Sequence, residues 1–346
     1  MSHNLSFRNG RAAAAYGSNK PAWHGHGTVV KGLMNAEECL AKAQLDFTVG
    51  KVPLWIKNPV YDAKNNNKVP KGFKCPDNFA IVRSDLQDTQ DILGVVGKQY
   101  TPVQNVDCLN ILDPIVERSE AVYESAGALD GFKKIWLLAK LPEEIKVNGK
   151  DIVNNYLLVY NSHDGTTSLT VRLTPIRVVC WNTLSAAVGG TRASFTARHT
   201  KSVNERLRIA TQIIGLARKR MTELSKTYNN LAQVTVNPLM LNYFLNVVFP
   251  IQKLESNRMR NIQDDVRYLF NGNATGAKLA GQTAWGLYNA TTEYAEHVKG
   301  TRGNANSMQN SFFGYADRIS NKALDTAMSL ASTPEKEMRA LVDSVN

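Results

Sequence analysis

At about residue 201 the apolar pattern of this chain changes period, and that change divides what the two halves can become. From there Val203, Leu207, Ala210, Ile214, Ala217, Met221, Leu224, Tyr228 and Leu231 recur at alternating steps of four and three. Such steps place every one of them on a single narrow stripe of an α-helix. Ser202-Val203-Asn204-Glu205 precedes the stripe and matches a capping box, whose hydroxyl and carboxylate satisfy free backbone donors. The pattern predicts a long helix that packs either on the protein's own core or on a neighbouring subunit.

Before that point the apolar residues come in short, strand-like blocks. Phe47 to Ile56, Phe79 to Arg83, Leu93 to Val96, Lys133 to Lys140 and Tyr156 to Asn161 are such runs. Ser168 to Leu173 alternates polar with apolar, and Ile176 to Val179 reads as a further strand. Asp164-Gly165 lies between two of these runs and predicts a hairpin, because both residues tolerate positive φ. Helices are expected from Asn35 to Leu45, from Asn105 to about Arg118, and from Trp181 to Ala187, the last closed by Gly189-Gly190. In the second half, Asn237-Pro238 opens a helix. Asn257 to Phe270, Thr283 to Val298 and Phe313 to Leu330 fit three more. The expected class is α+β: a mixed part with an antiparallel sheet and hairpin, then an all-α part containing the heptad-patterned helix. Residues 1–20 read as a flexible arm, 21–201 as the α+β domain and 202–346 as the helical domain, with one shared core a further option.

Charge is unevenly distributed. Residues 172–220 hold ten Lys/Arg against the single acid Glu205, a surplus of nine out of the formal +11. The rest of the chain, with 31 bases and 29 acids, is nearly neutral. A surplus this local attracts a polyanion to one face, nucleic acid being the commonest. The alternative is a helix surface kept basic for solubility. The candidate phosphate contacts are Arg172, Arg177, Arg192, Arg198, His199, Lys201, Arg206, Arg208, Arg218, Lys219 and Arg220. Trp136, Tyr160, Trp181 and Phe195 lie in or near this stretch, with Tyr156 beside them, and are candidates for stacking on bases. Packing into the core is the competing role for each ring.

Other chemistry finds less support. Gly272 to Lys278 (GNATGAK) has three residues between its glycines and Leu279 after its lysine, whereas a phosphate loop needs four and then Ser or Thr. His24 and His26 lack Cys, Asp or Glu neighbours for a metal site. The four cysteines are scattered and read as reduced thiols. No apolar run reaches membrane-spanning length, and the first residues carry no signal-peptide core, so a cytoplasmic location is expected. No catalytic residue, metal or cofactor is assigned.

Several ordered segments resemble the phage/plasmid-like proteins that carry domain of unknown function 932. They are residues 21–28 (PAWHGHGT), 100–105 (YTPVQN), 125–131 (SAGALDG), 162–165 (SHDG), 177–184 (RVVCWNTL), 198–200 (RHT), 289–294 (NATTEY) and His297. His26 and Trp181 depart from the pattern, each standing where a small residue is usual. The resemblance implies an association with phages and plasmids and little defined chemistry.

The expected function is a homo-oligomeric, phage-encoded protein that binds single-stranded DNA and promotes annealing in recombination or replication. A counter-defence or regulatory protein that binds a host protein or a small anion is the alternative. A nuclease is the third reading, for which Asp130, Asp164, Asp264 and Asp265 show no recognisable spacing.

Overall fold

The computed structural model describes residues 5–17, 27–32, 34–58, 71–85, 91–179, 183–184, 187–188, 191–192, 194–200, 213–251, 256–299, 310–311, 314–334 and 337. In chain order, β1 (Phe7–Arg8) and β2 (Arg11–Ala12) make a short hairpin, followed by β3 (Ala14–Tyr16) and β4 (Thr28–Val29). Helix α1 (Ala36–Lys42) starts at Asn35, whose Oδ1 accepts the Glu38 amide at 2.8 Å. Strands β5 (Val49–Lys57), β6 (Gly72–Arg83) and β7 (Ile92–Gly97) form a three-stranded antiparallel sheet. After α2 (Asn105–Glu117) come β8 (Val122–Leu129), β9 (Lys134–Val147), β10 (Asp151–Ser162) and β11 (Leu169–Arg177). The short β12 (Ala187–Val188) and β13 (Thr191–Arg192) pair with each other, and β14 (Ser194–Ala197) returns to β11. The helices α3 (Ile213–Leu231), α4 (Pro238–Val248), α5 (Ser256–Tyr268), α6 (Ala284–Glu293) and α7 (Tyr315–Ser332) complete the α+β fold.

The large sheet has seven strands in the order β14-β11-β10-β9-β8-β3-β4, antiparallel except between β3 and β4. Both of its faces are buried, which explains why Lys133 to Lys140 is a nearly unbroken apolar run instead of an alternating one. Ile135, Leu137, Leu157 and Val159 point to one side, where they share a core with α2 and the C-terminal helices. Trp136, Leu138, Tyr156, Leu158 and Tyr160 point to the other and form a second cluster with Tyr16 and Leu129.

The first core is continuous across residue 201. It joins Ile135 and Leu157 to Leu224, Tyr228, Trp285, Tyr288 and Leu324 in one cluster. Tyr228 and Trp285 meet at a centroid distance of 4.8 Å. The described part of the heptad stripe, Ala217, Met221, Leu224, Tyr228 and Leu231, is buried here, so it packs on the protein's own sheet. The capping box at Ser202–Glu205 and the upper stripe from Val203 to Ala210 lie outside the described residues.

Four local expectations are corrected. Residues 5–17 are not a loose arm: Ala14 pairs with Gly127, and Ala13 to Tyr16 are buried. Small side chains make this possible, because a Cβ on Gly127 would lie 2.5 Å from the Ala13 carbonyl and 2.2 Å from the Trp136 ring. No helix occupies the described residues between Trp181 and Ala187. Thr183 bridges Ile176, and Ala187–Val188 pairs with Thr191–Arg192. Gly-Gly between short β-branched runs serves a hairpin as well as a helix stop. Ile176 lies within β11 and starts no strand of its own. The hairpin at Asp164-Gly165 is present, but Gly165 alone takes positive φ (75°), while the Asp164 carboxylate accepts from the Thr166 amide at 2.9 Å. The connection is therefore wider than a two-residue turn.

Candidate functional site

The ten bases of residues 172–220 do not share one surface. Arg177 is almost fully buried at the end of β11. Its Nε donates to both Asp151 oxygens at 2.9 Å, and its Nη1 and Nη2 donate to the carbonyls of Thr275 and Gly276. Asp151 also accepts from Trp285 Nε1 at 2.8 Å. A guanidinium neutralised in this way holds the sheet to the helical half and is closed to a phosphate. Arg172 is buried as well and lies 3.3 Å from Asp317 on α7. Arg220 reaches Glu223 at 2.7 Å with its side chain 10% exposed. These three are corrections to the phosphate-contact set, each for the same reason: a buried cation requires a fixed partner.

On the outer side of α3, Arg218 and Lys219 are exposed, with Arg218 3.3 Å from both Glu120 and Glu143. Arg192 lies in β13, its backbone paired with Ala187. Lys201, Arg206, Arg208 and Trp181 lie outside the described residues.

The stacking candidates are largely interior. Trp136 and Tyr160 are 0% and 1% exposed, and Tyr156 joins them in the second cluster. They sit where the sheet is covered on both faces, so no base can reach them. Phe195 is half-buried on β14 against the first core.

Arg198 and His199 meet other parts of the chain at a cleft of about 350 Å³. Its walls are Gln99, Tyr100, the β10–β11 connection from Gly165 to Ser168, and Arg198 to Thr200. Strand pairing builds it. Leu169 lies opposite Ala197, so the residues before β11 and after β14 emerge side by side. Tyr100 closes one wall: its ring stacks on His199 at 4.7 Å and its hydroxyl donates to the Ser162 carbonyl at 2.9 Å. The strand β7 approaches so closely that a Cβ on Gly94 would lie 2.6 Å from Asp164 Cα.

Behind the cleft His163 is fully buried. Asn105 Nδ2 donates to the carbonyls of Leu45 and Phe47, which leaves its oxygen facing the imidazole. His163 Nε2–H therefore donates to Asn105 Oδ1 at 2.9 Å. Burial pushes this histidine down to about 3, so the ring is neutral. Burial lowers His199 too, against opposing backbone interactions with Thr101 and Thr167. The positive charge at the cleft near pH 7 is accordingly that of the exposed Arg198 and not of a histidine. Thr166, Thr167, Ser168 and Thr200 line the same cleft, the Thr166 hydroxyl donating to Asp164 at 2.6 Å. A guanidinium on a polar wall suits an oxygen-rich anion such as a phosphate. Among the described residues, no group of three or more His, Cys, Asp or Glu is placed to hold a metal ion.

Composition gave no signal for Tyr100 or the Thr-Thr-Ser wall, because uncharged residues do not register in a charge count. Order did. Three of the ordered segments, residues 100–105, 162–165 and 198–200, converge on this cleft and its floor. A family model described as Domain of unknown function (DUF932) matches residues 92–312, which include the cleft, the Arg177 node and α3 to α6. No curated protein and no solved structure matches the chain.

Proposed function

The chain belongs to the family of Domain of unknown function 932, and from that premise we propose that it binds single-stranded DNA in the cytoplasm. The supporting observation is the local surplus of nine positive charges over residues 172–220, of which Arg198, Arg218 and Lys219 face solvent. Arg198 takes a phosphate at the cleft, and the exposed Lys219 attracts the strand along α3. No bond is made or broken. A phage-encoded protein of this kind brings complementary strands together for recombination or replication, acting as a homo-oligomer. The phage association implied by the ordered segments fits that role.

The test is binding to fluorescent single-stranded and duplex DNA over a salt series, on protein sized by light scattering. Affinity is expected to fall steeply with salt and to be higher for the single strand. Arg198→Ala with Lys219→Ala should weaken every sequence alike and flatten the log–log salt slope by roughly 0.7 per lost phosphate contact. No binding to DNA at about 50 mM salt removes this reading.

A second reading rests on the cleft itself, whose volume of about 350 Å³ and exposed Arg198 suit a small anionic ligand. It predicts saturable binding of a nucleotide-sized anion, with DNA affinity independent of strand length.

A further inference from the structure

The three-stranded sheet ends in a ribbon that none of the described residues covers. Strand β7 pairs with β6 from Asn78 to Val82, so among the described residues Trp55–Lys57 and Gly72–Lys74 continue as a two-stranded ribbon. A register shift between Pro53 and Trp55 sets this ribbon off from the packed part of the sheet. Its large apolar residues face water: Trp55 is 67% exposed, Ile56 60% and Phe73 53%. Soluble proteins seldom leave an indole this open without a use for it.

Register fixes what accompanies the ring. Trp55 pairs with Lys74 and Lys57 with Gly72, so Trp55, Lys57 and Lys74 share one face. Ile56 pairs with Phe73, and the exposed Lys71 falls on their face. From Trp55 to Lys74 the sequence carries five lysines against the single acid Asp62. This is a second local surplus of positive charge, hidden in a region whose overall charge is near neutral.

We infer that this ribbon is a second single-strand contact: Trp55 stacks on a base while Lys57 and Lys74 hold the flanking phosphates. An aromatic face flanked by cations at strand spacing is the chemistry by which sequence-tolerant proteins take a single strand. The inference rests on the DNA-binding reading above and gives it the stacking residue that Trp136 and Tyr160, being core, cannot supply. A second copy of this chain fits less well. Lysines lie on both faces, so a two-fold contact through either would set like charges against each other. Lysines also guard exposed strand edges against pairing, but that role does not call for an open indole beside them.

The experiment compares the wild type with Trp55→Ala, Trp55→Phe and Lys57→Ala/Lys74→Ala, using a fluorescent oligothymidine of about 20 nucleotides, longer than one site. Trp55→Ala should cost about 5- to 140-fold in affinity, the span equivalent to ~1–3 kcal/mol for one stacked base. Its salt slope should not change, because stacking releases no counterions. Trp55→Phe keeps an aromatic face and should retain most of the affinity, while the double lysine variant should lose affinity with a flatter slope. Equal affinity of Trp55→Ala and wild type, with Arg198→Ala still weakened, overturns the ribbon and leaves the cleft reading standing. A drop in molar mass of Trp55→Ala by light scattering assigns the ribbon to a second copy and also overturns it. Equal losses on a duplex, bound more tightly than the single strand, overturn the single-strand assignment. No DNA binding by the wild type removes both readings together.

Discussion

His163 carries the clearest consequence at the scale of one residue. In the unfolded chain it takes a proton near 6.5, whereas burial holds it neutral in the fold down to about 3. Between those values the unfolded state binds a proton that the folded state excludes. Stability is therefore complete above about pH 6.5 and declines as the pH falls toward 3, by at most about 1.4 kcal/mol per pH unit from this group. Urea titrations at several pH values should show that decline, and His163→Gln should flatten it while Gln still donates to Asn105. An unchanged pH dependence in that variant would show that other groups set the acid limit. The sequence placed His163 at a hairpin tip but could not reveal its burial, because Asn105 lies 58 positions away. Trp136 and Trp55 make the same point from opposite sides. Each stands in a strand-like run, yet one is 0% exposed and the other 67%, since only the partner elements decide which face is covered.

At the scale of elements, short-range signals were legible. Asn35 and Asn237 cap α1 and α4 as their sequences imply, accepting from Glu38 N and Met240 N. The turn at Asn148-Gly149 between β9 and β10, with φ of 49° and 71°, was missed although the dipeptide itself encodes one. The segment after Trp181 was misread because a few small and β-branched residues beside Gly-Gly satisfy helix and hairpin patterns alike. Contacts between elements far apart in the chain were not legible. Arg177 and Asp151 join β11 to the start of β10 and, through Trp285 and the Thr275–Gly276 carbonyls, both to the helices. Arg177→Met strands a buried carboxylate and should cost about 3–5 kcal/mol in chemical denaturation. Adding Asp151→Leu should restore much of that loss. If the pair of changes were as damaging as the sum of the singles, the carboxylate's solvation would not be the cause.

For the whole molecule, the change of period at residue 201 marks a change of secondary structure within one continuous core. Tyr228 on α3 and Trp285 on α6 lie in the same cluster as Ile135 and Leu157 of the sheet. Unfolding followed by tryptophan fluorescence and by far-ultraviolet circular dichroism should therefore give coincident transitions. Two separated transitions would mean that the halves fold independently in spite of the shared core. By itself the sequence determined the α+β class, most helix limits, the central hairpin and the family, because periodicity, caps and ordered motifs act over a few residues. It also located the positive surplus, since charge adds without regard to conformation. Only the tertiary structure decided which charges and rings are available. Arg172, Arg177, Arg220, Trp136 and Tyr160 turn inward, and Arg198, Lys219 and Trp55 remain open. The reason is that burial depends on partners distant in sequence: Asp151 neutralises Arg177, and among the described residues no third strand reaches Trp55.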